Sequence, residues 1–246
     1  MKNKRQQELL EILRTNGYAS TTKIAKLLYA SLPTIRRDLI DLENAGYIIR
    51  SHGGAMLPPS ASTVLPVDFR RISHRTEKKL LCNVAQSYLK DYQTIFLDES
   101  TTVLPLVKHL LTLKNAVVIT NSIDIISELR NSSLEFYCTG GKCILNNNLI
   151  GRYAEEFISN FNIDVCVFSS SGISKNGQIT DNNEYKIGII KALLKHSKQK
   201  IYLCDDSKIN NIAKFNAADY SNIDLIITNA KKDSLMVPTE KIIYCE

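Results

Sequence analysis

The sequence predicts an α/β protein in two unequal parts: a small helical head closed by a short hairpin, then a larger parallel sheet covered on both faces. Three observations predict it. Helical periodicity fills the start of the chain, then gives way to two strand-like runs around Ser51-His52-Gly53-Gly54. Residues 58–68, PPSASTVLPVD, hold three of the six prolines and no regular apolar period. Beyond them, short continuous apolar runs alternate with amphipathic ones, the pattern of a parallel sheet with crossover helices.

Each element of the head has a local reason. Leu9, Leu10, Ile12 and Leu13 form the apolar stripe of a first helix, and Asn16-Gly17 stops it. Ser20 or Thr21 caps a short second helix, with Ile24, Leu27 and Leu28 expected to face inward. Ser31 caps the third, which tolerates Pro33 in its first turn, where helix amides lack partners. Tyr47-Ile48-Ile49-Arg50 and Ala55-Met56-Leu57 read as short strands joined by the glycine turn. Three helices and a hairpin describe a winged helix-turn-helix over residues 1–57, followed by a linker over 58–75.

In the body, 76–246, strands are expected at Ile95-Phe96-Leu97, Val117-Val118-Ile119, Phe136-Tyr137, Val165–Phe168, Ile201-Tyr202-Leu203, Leu225-Ile226-Ile227 and Ile242-Ile243-Tyr244. Helices are expected over Glu77–Leu89, Val103–Leu113, Ile123–Leu129, Ala154–Ile158 and Glu184–Lys195. The product is a Rossmann-like sheet.

Bulk numbers narrow the function. The chain has 246 residues, 44% hydrophobic and 23% charged, enough apolar material for a core. It has no uninterrupted apolar run of about 18 residues, so no membrane span is expected, and no h-region marks a signal peptide. Six scattered cysteines without a C-x-x-C pair, and four histidines, predict reduced thiols, no metal, no cofactor and a cytoplasmic protein. Residues 1–57 carry nine Lys/Arg against five Asp/Glu; the rest carry 22 against 20. A polyanionic partner for the head follows.

The third helix shows how that partner would be met. At 100° per residue, Ile35, Leu39 and Leu42 share one side, Arg37 lies nearly opposite, and Thr34 and Arg36 lie on the flanks. The core thus aims basic residues outward near a helix N-terminus, the end that enters a major groove. An arginine fork bonds guanine O6 and N7 together, or clamps a phosphate. Arg50 and His52 on the wing are placed for the neighbouring backbone or minor groove. The competing expectation is a solvated face, with Arg36 and Arg37 paired to Asp38, Asp41 or Glu43. The DNA-binding candidates are Ser31, Thr34, Arg36, Arg37, Arg50 and His52.

The stretch SLPTIRRDLIDLENAGYIIRSHGGA, with T-I-R-R-D-L at Thr34–Leu39, L-E-x-x-G at Leu42–Gly46 and H-G-G-A at His52–Ala55, resembles the DeoR family of bacterial transcriptional regulators. The resemblance implies a repressor of a sugar or carbohydrate catabolic operon, relieved by a phosphorylated sugar. It also implies a homo-oligomer, dimer or tetramer, on double-stranded operator DNA. The body then becomes a sensor domain resembling ribose-5-phosphate isomerase. Four polar clusters follow strand-like runs: Asp98–Thr102, Thr120–Ser122, Ser169–Gly172 and Asp205–Lys208. Ligands of open α/β sheets bind beyond the strands' carboxyl ends. Carried over residue by residue, the effector-site candidates are Asp98, Ser100, Thr101, Thr102, Asn121, Glu184, Asp205 and Lys208. Singly, Ser-Thr-Thr and Asn121-Ser122 read equally well as helix caps.

Four positions depart from the family pattern: Ser100 and Ser169 stand where it has glycine, Gly188 where it commonly has a basic residue, and Asp206 where it has histidine. A lost cation and an added acid disfavour a dianion, so the expected effector is less highly charged, or more weakly bound, than usual. The rival reading is a sugar-phosphate isomerase with an accessory nucleic-acid-binding domain, since Asp98, Glu184 and Lys208 suit proton transfer. An isomerase has no use for the basic head, and the chain lacks both G-x-x-x-x-G-K and G-x-G-x-x-G, so no nucleotide chemistry is expected.

Overall fold

In a computed structural model the described residues are 4–45, 47–51, 53–58, 67–144 and 147–245. Gly46, His52 and the middle of the segment read as linker lie outside them. The chain divides into two compact units, Met1–Arg75 and Thr76–Glu246.

The first unit runs α1 (Lys4–Asn16), β1 (Tyr18–Ser20), α2 (Thr21–Leu27), α3 (Leu32–Asn44), β2 (Ile49–Ser51), β3 (Gly54–Met56) and α4 (Val67–Ile72). Gly17, at φ 69°, takes the left-handed conformation that ends α1. The Ser20 side chain caps α2 by accepting from the Lys23 amide. The wing is a three-stranded antiparallel sheet, β1-β3-β2, rather than a bare hairpin. Its turn holds Gly53 at φ 95°, a conformation that favours glycine. Leu9, Leu13, Ile24, Ile35, Leu39, Leu42 and Ala55 are buried together. Truncating one of these leucines or isoleucines to alanine costs about 2–5 kcal/mol. Leu27, expected inside, is 48% exposed, because the inward face of α2 runs through Ile24, Ala25 and Leu28. Residues 67–72, inside the expected linker, are helical.

The second unit runs α5 (Arg75–Ala85), β4 (Thr94–Leu97), α6 (Val107–Leu110), β5 (Val117–Thr120), α7 (Ile123–Leu129), β6 (Glu135–Cys138), β7 (Lys142–Ile144), β8 (Asn148–Ile150), α8 (Arg152–Ser159), β9 (Ile163–Phe168), β10 (Gly172–Ile173), β11 (Gln178–Asp181), α9 (Glu184–His196), β12 (Ser197–Cys204), β13 (Phe215–Asp219), β14 (Leu225–Thr228) and β15 (Ile242–Tyr244). Seven strands make one parallel sheet in the order β15-β14-β12-β9-β4-β5-β6. Alternation along each strand feeds two core layers. Phe96, Ile119, Cys166, Phe168 and Tyr202 pack under α8 and α9. Ile95, Leu97, Val118, Val165, Val167 and Leu203 pack under α5, α6 and α7. The helix expected over Val103–Leu113 is a 3-10 turn, Leu104–Leu106, with α6 after it, because Pro105 removes an amide donor. The antiparallel sheet β10-β11-β13 and the pair β7-β8 are additions to the expected topology.

From β4 the chain moves outward to β5 and β6; from β9 it moves the opposite way, to β12, β14 and β15. The order therefore reverses between β4 and β9. Beyond the carboxyl ends of those strands lies the crevice in which open α/β sheets hold ligands.

Candidate functional site

In the first unit the outer face of α3 is prepared by its neighbours. Ser31, the N-cap, accepts from the Thr34 amide at 3.3 Å, and the two hydroxyls lie 2.7 Å apart. Asp38 is nearly buried and takes a two-pronged bond from Arg5 of α1, with Nη2 to Oδ1 at 3.1 Å. That bond holds the Arg5 guanidinium above its ordinary pKa. Glu43 accepts from the Arg50 amide at 3.2 Å and pairs with its guanidinium at 3.5 Å, tying α3 to the wing. Two of the three acids that would neutralise Arg36 and Arg37 on a solvated face are thus engaged elsewhere. Both arginines are exposed, and among the described residues neither has an ion pair. Arg36 and Arg50 share a groove with Thr21, Thr22 and Gly53. His52 lies outside the described residues.

In the second unit, the four polar clusters converge at the switch point, where Asp98, Glu99 and Asp205 are buried. Across the gap between β4 and β9, Asp98 accepts from the Ser169 amide at 3.2 Å and from its own loop's Ser100 amide at 3.0 Å. Lys208 bonds Thr102 Oγ1 at 2.9 Å and Ser169 Oγ at 2.7 Å, and lies 3.4 Å from the Asp205 carboxylate. Asn121 donates to Glu99 at 2.9 Å. Thr101 accepts from Lys78 of α5 at 3.2 Å. Asp98, Ser100, Thr101, Thr102, Asn121, Asp205 and Lys208 therefore belong to one bonded network.

Glu184 stands apart. It is exposed in the first turn of α9, whereas Lys186, two residues on, turns inward and is buried. The Lys186 ammonium sits 3.0 Å from both Asp98 and Glu99. Burial pushes this ammonium down, but the two carboxylates, helped by Asp181, lift it above its ordinary value. Burial drives the Asp98 carboxyl up against the pull of Lys186. Glu99 is held low, because Lys186 and the Asn121 amide outweigh its burial. Lys78, Glu99, Asn148, Ser169 and Lys186 are bonded to these residues and were not among the candidates expected from sequence.

Hydroxyls, loop amides and lysines gathered over buried carboxylates at the strand ends are suited to a small polar anion. Hydroxyls and lysines take its charged oxygens, and carboxylates or carboxamides take its hydroxyls.

The profile described as "DeoR C terminal sensor domain" matches residues 73–230, and that described as "DeoR-like helix-turn-helix domain" matches residues 5–61. The HTH-type transcriptional repressor GlcR of Bacillus subtilis is 34% identical, over 90% of this chain and 86% of its own length. The glycerol-3-phosphate regulon repressor of Escherichia coli is 28% identical, over 92% and 90% respectively. Among solved structures, ribose 5-phosphate isomerase from Plasmodium falciparum aligns at a TM-score of 0.39 and 20% identity, over 53% of this chain and 52% of that one.

Proposed function

Because the chain belongs to the DeoR family of transcriptional regulators, we propose that it represses a sugar or carbohydrate catabolic operon and releases it when a phosphorylated sugar enters the strand-end crevice. The observation that carries the DNA half is the pair of exposed, unpaired arginines, Arg36 and Arg37, on a capped helix whose nearby acids Asp38 and Glu43 are bonded elsewhere. The helix dipole favours phosphate at the same end. Ser31, Thr34 and Arg50 border that face, and His52 follows Arg50 by two residues in sequence.

The effector half rests on the network at the switch point. Ser100, Thr101, Thr102, Lys208 and Lys78 gather donors on one side of Asp98, where they suit a phosphate. In this reading the protein works as a homo-oligomer that places two recognition helices on half-sites. A ligand favouring another arrangement of the sensor domains shifts the population away from the DNA-bound form.

Gel retardation on the protein's own upstream region tests the reading. Replacing Arg37 by alanine is expected to cost about 1–3 kcal/mol of affinity if its fork reads a base. Raising salt should weaken binding steeply. Arg36→Ala and Arg37→Ala variants that both keep wild-type affinity would return this face to solvent.

A further inference from the structure

Among the described residues four buried side-chain atoms have no hydrogen-bond partner, and three of them are carboxamide oxygens: Asn121 Oδ1, Asn147 Oδ1 and Asn148 Oδ1. These asparagines are 0%, 2% and 3% exposed. They lie on two segments laid against each other at the end of β5. The Leu149 amide donates to the Asn121 carbonyl at 2.8 Å, and the Ile123 amide to the Asn147 carbonyl at 2.9 Å. Ser122 and Asn148 form a bridge between them.

The orientation of each carboxamide is fixed by an acid. Asn121 Nδ2 donates to Glu99 Oε2 at 2.9 Å, Asn148 Nδ2 to Glu99 Oε1 at 3.4 Å, and Asn147 Nδ2 to Asp124 at 3.2 Å. Turning any of them over would set its oxygen against a carboxylate. The oxygens are therefore the unsatisfied ends. Buried acceptors without donors are rare in folded proteins because each forfeits its bond to water. Two on the Glu99 carboxylate and a third on Asp124, in segments bonded to each other, call for an occupant that brings donors.

We infer that Asn147 and Asn148, together with Asn121, are the hydroxyl-reading end of the effector site. The inference rests on the effector half of the proposed function and adds the chemistry of the ligand's far end. A metal ion suits the position poorly, since both Glu99 oxygens already accept hydrogen bonds and Lys186 holds its ammonium 3.0 Å from one of them. Neutral carboxamide oxygens beside a compensated carboxylate match neutral O–H donors. A site built on such acceptors rejects an analogue lacking the hydroxyl, because its buried groups are then left unpaired.

Calorimetry of the full chain tests this, with inorganic phosphate, a panel of three- to six-carbon polyol, aldose and ketose monophosphates, and the deoxy counterpart of each binder. At least one hydroxylated monophosphate should bind about tenfold or more tighter than inorganic phosphate, and its deoxy counterpart should lose that advantage. In Asn148→Leu the advantage should also disappear, while affinity for inorganic phosphate is retained. The unliganded variant loses an unsatisfied acceptor but also the 3.4 Å bond to Glu99, so the ratio of the two affinities is the decisive readout. Asn147→Leu provides the same comparison should Asn148→Leu fail to fold. A ratio unchanged from the wild type's would assign Asn148 to a buried water and overturn the inference. Monophosphates that bind no better than inorganic phosphate would remove the hydroxyl end but leave the anion site standing. Binding of neither phosphate nor any sugar phosphate would sink the effector reading with it.

Discussion

Lys186→Met removes the one ammonium that lies between Asp98 and Glu99, and the structure sets the size of the effect. Both carboxylates are 3.0 Å from Nζ, and all three side chains are buried. Deleting one member of a buried ion pair typically costs about 3–5 kcal/mol, because the remaining charge stays out of water. The Ser100 and Ser169 amides on Asp98, and the Asn121 amide on Glu99, remain to hold part of that charge. A unit of this size loses about 2–4 °C per kcal/mol. Differential scanning calorimetry should therefore find the second unit's transition lowered by roughly 6–20 °C. The pH dependence carries a sign. Without Lys186 the folded-state carboxyls titrate above their unfolded values of about 4. Their contribution is then fully present below the unfolded pKa and is lost as pH rises through the folded one. The gap between variant and wild type should narrow at about pH 5 and widen at about pH 8. A drop smaller than about 3 °C, or an equal drop at both pH values, would refute the reasoning.

Three further outcomes follow from other contacts. A Cβ on Gly54 would collide with the Tyr18 ring and the Ala19 carbonyl, which is held in the β1-β3 ladder; Gly54→Ala should abolish operator retardation while the second unit's melting transition stays in place. Asp164 is held below the ordinary carboxylate range by the Lys198 ammonium and the Thr94 amide, at 2.8 and 2.9 Å. Its stabilisation is present above the unfolded pKa of about 4 and fades as pH falls through the lower folded value, so Asp164→Asn should flatten the fall in melting temperature between about pH 5 and pH 3; an unchanged slope would count against the pairing. Burial pushes the Cys82, Cys166 and Cys204 thiols up to about 12, whereas Cys143 is exposed. A thiol reagent at about pH 8 should label Cys143 at once and those three only on unfolding, since the thiolate is the reactive form.

Much of this was legible because local signals agreed. The Ser20 and Ser31 caps, the Gly17 stop and the two-layer alternation of Ile95, Phe96 and Leu97 each follow from residue type and spacing. β1 was not legible: three residues between a helix stop and a helix cap carry no period, and only pairing with β3 makes them a strand. The same holds for β13, whose ladder with β11 joins residues far apart in sequence, whereas β10 and β11 form a short hairpin. The two buried lysines did leave a trace. Lys78 precedes Leu81, Cys82 and Ala85, and Lys186 precedes Ile189, Ile190 and Leu193, each at i, i+3, i+4, i+7. A lysine heading an apolar stripe, in the first turns of a helix, is on the buried face by geometry. Glu184, matched by motif, lies on the other side of that helix turn.

The four departures from the family pattern can now be weighed one at a time. Neither Ser100 nor Ser169 has a positive φ, so serine introduces no backbone strain where glycine was expected. Ser169 instead adds a hydroxyl that accepts from Lys208 and donates to the Leu203 carbonyl at 2.6 Å. At Gly188 a Cβ would run into the Glu155 carboxylate, so a side chain there requires Glu155 to move. The cation absent at 188 is not replaced by Lys186 in function, because that ammonium is committed to Asp98 and Glu99. Lys208 is shared with Asp205, and Asp206 stands exposed in the adjoining turn. Little uncompensated positive charge is left to meet a dianion, so Coulomb attraction alone gives a phosphate a modest hold. Affinity must then come in larger part from neutral donors and acceptors, the hydroxyls of Ser100–Thr102 at one end and the asparagine oxygens at the other. On the proposed reading of this site, hydroxyl pattern selects the ligand more than charge does.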